Sequence, residues 1–176
     1  MQKHALTMAT ALLGAGLMTA CGSSKSTGPS NITYVANLAA SNEVLQNGSS
    51  ANVVSSGTGK WTGTLNPTTN VLSWTMTFSG LGSNSSLSHI HAQAPTTTTA
   101  SVVLNFATFA GSTVTLGATS GTASGSINIA TQAATPPSLT ISGDSLLKAI
   151  NAGQAYVNVH TTQYGAGEIR GQIVKQ

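Results

Sequence analysis

The chain has 176 residues, a length that suits one folded domain, and hydrophobic residues make up 40% of it, enough for a core. Charged residues are only 5% of the chain, against about 25% in an average globular protein. With six Lys or Arg and a formal net charge of +3, the sequence excludes a polybasic surface and so excludes nucleic acid as a partner.

The first element along the chain is an export signal. Lys3 and His4 precede an apolar run over residues 5–20 that is shorter than the about 20 residues a membrane span requires. The end of this run, Leu17-Met18-Thr19-Ala20-Cys21, resembles a bacterial lipobox. We therefore expect residues 1–20 to be a lipoprotein signal peptide and Cys21 to be lipidated. A secretory peptide that leaves Cys21 as a free thiol is the alternative.

The expected lipid would anchor the protein to a bacterial membrane, at the outer membrane or the cell surface. Residues 21–31 are small and polar, which predicts a flexible tether between the lipid and the folded part. From residue 32 to residue 176 the sequence shows neither a second linker nor a repeat. These residues are therefore expected to form a single domain.

Apolar side chains recur at every second position through this domain. Leu72, Trp74, Met76 and Phe78 alternate with Ser and Thr, which places four large side chains on one face of a strand. Shorter alternating segments predict further strands at 34–38, 61–65, 102–106, 114–116, 127–129, 139–141, 156–161 and 169–174. Eight or nine short strands favour an all-β fold, either a barrel or, as we expect, a single antiparallel β-sandwich. One short helix is predicted at 144–151, between Ser142 and Gly153.

Three histidines of the domain follow a pattern that points to a metal ion. His89 and His91 flank Ile90, and residues two apart on a strand share a face. His160 follows Val157 and Val159, whose inward orientation would turn His160 to the outer face together with Tyr156 and Asn158. If the two strands are neighbours, the three imidazoles can bind copper or zinc. The alternative is three solvated surface histidines.

Other kinds of site find less support in the sequence. The acids are Glu43, Asp144 and Glu168, too few for a paired-carboxylate glycosidase or a calcium cage. No Gly-x-Ser-x-Gly elbow and no phosphate-binding glycine loop is present in the sequence. We therefore assign no catalytic residue, and binding is favoured over catalysis.

Four segments of the domain together carry a family resemblance. They are Ala39-Ala40-Ser41-Asn42-Glu43-Val44, Leu87-Ser88-His89-Ile90-His91, Tyr156-Val157-Asn158-Val159-His160-Thr161 and Gly167-Glu168-Ile169-Arg170-Gly171-Gln172. In this order they resemble the successive signatures of the CHRD (chordin-type) domain over residues 32–174. The resemblance implies an immunoglobulin-like or superoxide-dismutase-like sandwich outside the cytoplasm.

A second similarity concerns the histidines. A His-x-His strand followed by a Val-x-Val-His strand is similar in order to the copper-ligand segments of Cu/Zn superoxide dismutases. It implies that His89, His91 and His160 stand for three copper ligands. The bridging histidine and the zinc ligands of those enzymes have no counterpart here.

Four further residues are expected to support the metal site. Asn158 is expected to orient His160 by a hydrogen bond, and Tyr156 to shield it. Glu168 and Arg170 lie two apart on a strand predicted to pair with the strand of His160, so they can form an ion pair. That pair would lie beside the metal site or, in the interpretation we favour, hold the hairpin together.

The function expected from the sequence is therefore binding of copper or zinc by a lipid-anchored domain outside the cytoplasm. Two alternatives stay open. One is a structural or adhesion module that binds an extracellular protein or glycan without metal. The other is a redox enzyme similar to superoxide dismutase.

Overall fold

The computed structural model describes residues 28–45 and 47–176, and it places ten strands, one α-helix and one 3₁₀ turn in them. The expected signal peptide and Cys21 lie outside the described residues. The strands are β1 (Ile32–Ala39), β2 (Thr58–Asn66), β3 (Val71–Ser79), β4 (Ser85–Ala92), β5 (Val102–Asn105), β6 (Ser112–Val114), β7 (Gly121–Asn128), β8 (Ala155–Thr161), β9 (Ile169–Gln172) and β10 (Val174–Lys175). The helix α1 spans Gly143–Asn151, and the 3₁₀ turn spans Ala40–Asn42.

The strands form one antiparallel sheet that curls on itself. Its order is β5-β4-β8-β9-β1-β2-β3-β7-β6, and β10 pairs with β1. Trp74 of β3 lies in one half of this order, whereas Phe106 follows β5 at the end of the other half. Their ring centroids are 5.9 Å apart, so the two halves pack face to face as a sandwich. The predicted all-β sandwich is confirmed.

The core lies between these halves and follows the alternation in the sequence. Leu72, Trp74, Met76 and Phe78 of β3 are all at most 3% exposed, whereas the Ser and Thr residues between them are exposed. Trp61 of β2 is also fully buried. Burial of large side chains on one face of each strand accounts for the folding of these segments as sheet.

The predicted helix is confirmed with nearly the expected bounds. Ser142 caps α1 by accepting a hydrogen bond at Oγ from the backbone N–H of Ser145, 3.3 Å away. Leu146 and Ile150 bury one face of the helix, and Gly153, at a φ of +67°, follows its end. Within the described residues, no helix has the length and apolar content to cross a membrane.

Four strand predictions are wrong in part, and the first of them, at 169–174, is divided between β9 and β10. In the segment 139–141 only Leu139 forms β-bridges, two isolated ones, and its buried side chain packs into the core from a turn. The strand expected at 114–116 lies at Ser112–Val114. The strand expected at 127–129 begins at Gly121. Its first part was not predicted because the small residues before Ile127 alternate too weakly in hydropathy.

Candidate metal centre

Pairing of β4 with β8 places the three histidines on one face. Leu87 is opposite His160, and His89 is opposite Asn158. Residues paired in a ladder share a face, as do residues two apart, so His89, His91 and His160 all project to the same side. Ile90 lies on the other side and is fully buried in the core. The expectation that the two strands are neighbours is confirmed.

The three rings converge on one point. One ring nitrogen from each of His89, His91 and His160 lies within 4.8 Å of the others. Nδ1 of His89 is 3.1 Å from Nε2 of His160. Small rotations of such rings bring three nitrogens to the about 2.0–2.1 Å that a bound zinc ion requires.

Backbone carbonyls determine which nitrogens face this point. Nδ1 of His91 is 2.8 Å from the carbonyl oxygen of Ala100, and Nδ1 of His160 is 3.0 Å from that of Gly165. A carbonyl oxygen only accepts, so both Nδ1 atoms carry a proton and both Nε2 atoms carry a lone pair. Nε2 of His91 is buried and has no hydrogen-bond partner. The available lone pairs therefore fit the donor set of a metal ion.

The third histidine completes the set after a change of tautomer. Because Nε2 of His160 carries a lone pair, Nδ1 of His89 donates the hydrogen bond between them. A metal held by Nδ1 of His89 would take the place of that proton. The His89 ring would then carry its single N–H proton on Nε2 and stay neutral.

Burial keeps these imidazoles neutral. Burial, together with the nearby His160 and His91, lowers the pKa of His89 to about 3. Burial also lowers the pKa of His91 to about 4, against the opposing effect of the Ala100 carbonyl, and it lowers the pKa of His160. At neutral pH all three rings are therefore in the form that can bind a metal.

These lowered pKa values predict that the metal-free protein is destabilised by acid. The unfolded chain takes up protons at these histidines below about pH 6.5, whereas the folded chain excludes them from His89 and His91 down to about pH 4. Stability therefore falls as pH falls through this window. Glu43 acts in the opposite direction, since burial raises its pKa to about 7, but three histidines outweigh one carboxyl. Thermal unfolding of chelator-treated protein between pH 7.5 and 4.5 measures the effect, and an unchanged midpoint contradicts it.

The face that carries the histidines is covered, which corrects the expectation of an outward-facing surface. His89, His91 and His160 are 5%, 8% and 7% exposed. The loops that supply the carbonyls of Ala100 and Gly165 fold over the rings. Strand alternation predicts which face a side chain occupies, but it does not predict what covers that face.

Tyr156 contacts a different histidine from the one expected. Its ring stacks on His91 with centroids 4.6 Å apart and planes 3° from parallel. The backbone N–H of Ala100 donates to its hydroxyl over 3.2 Å, and Cζ of Arg170 lies 3.6 Å from its ring centroid. Tyr156 therefore positions His91 rather than shielding His160.

Asn158 does not orient His160. Its Nδ2 donates to Oε1 of Glu43 over 2.5 Å, and Glu43 is only 5% exposed. The role predicted for Asn158 is taken by the carbonyl of Gly165. Glu43 is the residue near the site that sequence reasoning missed. Two features of the sequence could have indicated it: the chain has only three acids, and Glu43 lies in a signature segment.

Glu168 and Arg170 do not form the predicted ion pair. In the described part of the chain the structure records one ion pair, Lys148 with Asp144. Glu168 instead accepts hydrogen bonds from Oγ of Ser55 (2.5 Å), N of Gly82 (2.6 Å) and Oγ1 of Thr161 (2.7 Å). These neutral donors satisfy the buried carboxylate and tie the loops around β8 together, so a cation is not required.

Gly167 provides a test of the pair formed by Asn158 and Glu43. Its φ is +133°, and a Cβ there would collide with Nδ2 of Asn158 and lie 2.6 Å from Oε1 of Glu43. We expect Gly167→Ala to lower the free energy of unfolding by about 1–3 kcal/mol, because it adds backbone strain and displaces a buried hydrogen bond. Chemical denaturation measures the change.

Gly165→Ala is the matched control. A Cβ at Gly165 meets nothing within 4 Å, so this variant should be about as stable as the parent. Equal stability of both variants and the parent would rule out close packing of Gly167 against Asn158 and Glu43.

Comparison with known proteins identifies the family. The family model described as the CHRD domain matches residues 34–173. The chain belongs to the CHRD domain family. The predicted membership is thereby confirmed, whereas no curated protein and no solved structure matches the chain.

In this CHRD domain the four signature segments meet at one place. The first supplies Glu43, the second His89 and His91, the third Asn158 and His160, and the fourth Gly167. Their contacts are the Asn158–Glu43 hydrogen bond, the close approach of Gly167 to both, and the convergence of the histidines. Segments that are distant in the sequence therefore build one buried polar centre.

Proposed function

We propose that this CHRD domain binds one copper or zinc ion through His89, His91 and His160. The observation that carries the proposal is the convergence of one ring nitrogen from each histidine to within 4.8 Å. Imidazole is a good ligand for both metals, and three protein ligands leave a fourth position open. The fixed Nδ1 protons of His91 and His160 support the same conclusion, since they direct Nε2 toward the shared point.

The chain's own residues hold and orient the ligands and exclude water. The carbonyls of Ala100 and Gly165 fix two imidazoles, and the Tyr156 ring fixes the plane of His91. A bound ion would supply Lewis acidity or, in the case of copper, one-electron chemistry. Burial of all three rings limits the access of solvent to the site.

Elemental analysis of untagged protein tests this proposal, because an added polyhistidine tag would itself bind metal. We expect about one copper or zinc per chain after supply of both metals and removal of excess ion. A variant in which all three histidines are replaced by Gln should hold none. Equal metal content in the parent and this variant would refute the proposal.

The same material separates the proposal from its two alternatives. A structural or adhesion module that binds protein or glycan should purify without stoichiometric metal. An enzyme similar to superoxide dismutase should consume superoxide only when loaded with copper. Metal content without superoxide consumption supports binding as the function.

We also propose that the domain is exported and anchored to a bacterial membrane through Cys21. The lipobox-like residues 17–21 and the small, polar residues that follow them support this location. We expect mass spectrometry to find a mature protein that begins at an acylated Cys21 and partitions into detergent. Cys21→Ser removes the thiol that would carry the lipid, so this variant should be released from membranes. Firm anchoring of the parent requires more than one acyl chain. An intact Met1 terminus or an unmodified Cys21 contradicts the proposal.

A further inference from the structure

We propose that Arg170 and the pocket beside it bind a small oxyanion, a carboxylate or a phosphate group. The pocket has a volume of about 290 Å³ and is lined by Ser41, Asn42, Val44, Thr96, Arg170 and Gln172. None of these lining residues is a histidine, although Arg170 contacts the ring of Tyr156, which in turn stacks on His91. The proposal therefore does not depend on metal binding.

Arg170 is a buried cation whose hydrogen bonding is incomplete. Its side chain is among the largest that are fully buried, at 2% exposure, and its Nη1 has no hydrogen-bond partner. Nη2 donates to the carbonyl of Pro95 over 3.0 Å and approaches Oε1 of Gln172 at 3.5 Å. Both of these acceptors are neutral, and so is the Tyr156 ring, whose centroid lies 3.6 Å from Cζ of Arg170. A buried guanidinium with an unsatisfied N–H group is costly, and an anion bound at Nη1 would offset that cost.

No acid of the described chain forms an ion pair or a hydrogen bond with Arg170. The one ion pair recorded in residues 28–45 and 47–176 joins Lys148 to Asp144. Glu43 is close enough for its charge to affect Arg170, but it receives its hydrogen bond from Asn158. Glu168 is satisfied by Ser55, Gly82 and Thr161. Nη1 of Arg170 is therefore left without an acceptor from the described residues.

The remaining lining residues favour an oxyanion. The pocket wall contains no carboxylate, and Ser41 and Thr96 are exposed residues whose hydroxyls can donate. The side-chain amides are already used, since Nδ2 of Asn42 donates to the carbonyl of Arg170 and Nε2 of Gln172 donates to those of Ala94 and Gly153. The remaining donors are the two hydroxyls and Nη1 of Arg170, which suit a carboxylate or phosphate oxygen, whereas the amide oxygens of Asn42 and Gln172 can only accept.

Thr96 allows a test that leaves Arg170 in place. The carbonyl of the preceding Pro95 accepts a hydrogen bond from Arg170, so residue 96 is adjacent to the guanidinium. Thr96→Glu would supply a carboxylate from the chain itself, and Thr96→Gln has the same shape without the charge. Thr96 is exposed, so both variants should fold. Lys60→Gln removes an exposed cation elsewhere and serves as a control for net charge.

The probes are sodium acetate and sodium phosphate, titrated into chelator-treated protein at constant ionic strength with chloride as the reference. We expect calorimetry and thermal unfolding to show saturable binding and a raised midpoint for the parent, Thr96→Gln and Lys60→Gln. Thr96→Glu should raise the midpoint by itself and bind the probes at least ten-fold more weakly. A response to acetate alone, phosphate alone or both supports the proposal and identifies the oxyanion. Absence of saturable binding by the parent, or equal binding by Thr96→Glu and Thr96→Gln, would overturn it.

Discussion

Replacing Trp74 with Ala is expected to lower the free energy of unfolding by about 3–5 kcal/mol. Trp74 is 3% exposed, and its ring lies 5.9 Å from that of Phe106 and 6.3 Å from that of Phe109, between centroids. Its removal leaves a cavity where the two halves of the sheet pack together. Chemical denaturation followed by fluorescence of the remaining Trp61 measures the loss.

Trp74→Phe is the control for this prediction. Nε1 of Trp74 is buried without a hydrogen-bond partner, so Phe loses volume but no hydrogen bond. We expect this variant to lose clearly less stability than Trp74→Ala. A Trp74→Ala protein as stable as the parent would mean that the two halves do not pack through this side chain.

The second large effect concerns the histidines. The double variant His89→Ala, His160→Ala should bind copper or zinc at least about 100-fold more weakly than the parent, measured by competition with a chromophoric chelator. Loss of a partner that merely orients a ligand already costs about 10–100-fold. The double variant removes two ligands and both ends of the 3.1 Å hydrogen bond between them.

Leu87→Ala is the matched control for this variant. Leu87 lies opposite His160 on the same face, is 42% exposed and offers no ligand atom. The affinity of the Leu87→Ala variant for metal should match that of the parent. A double variant that binds within about three-fold of the parent would place the metal elsewhere.

Features set by local alternation could be predicted from the sequence. The large side chains of β3 and the position of α1 follow directly from strand period and capping residues. The common face of His89 and His91 follows from their spacing. The segment 121–126 escaped prediction because Gly, Thr, Ala and Ser give little contrast between the two faces of a strand.

Features that depend on loops could not be predicted. The cover over the histidines comes from the segments of Ala100 and Gly165, whose backbone groups carry no signal in side-chain pattern. The partner of Glu168 was expected to be the nearest cation in sequence, but the fold supplies three neutral donors from distant residues. Glu43 reaches Asn158 across 115 positions of the chain, a contact that no local period indicates.

X-ray absorption spectroscopy of the metal-loaded, untagged protein tests the central claim most directly, because it counts the ligands of copper and zinc alike. We predict a first shell that contains three imidazole nitrogens at about 2.0–2.1 Å for zinc, and two in a His91→Ala variant. A first shell made only of oxygen atoms, or an imidazole count that His91→Ala leaves unchanged, would contradict a metal centre formed by His89, His91 and His160.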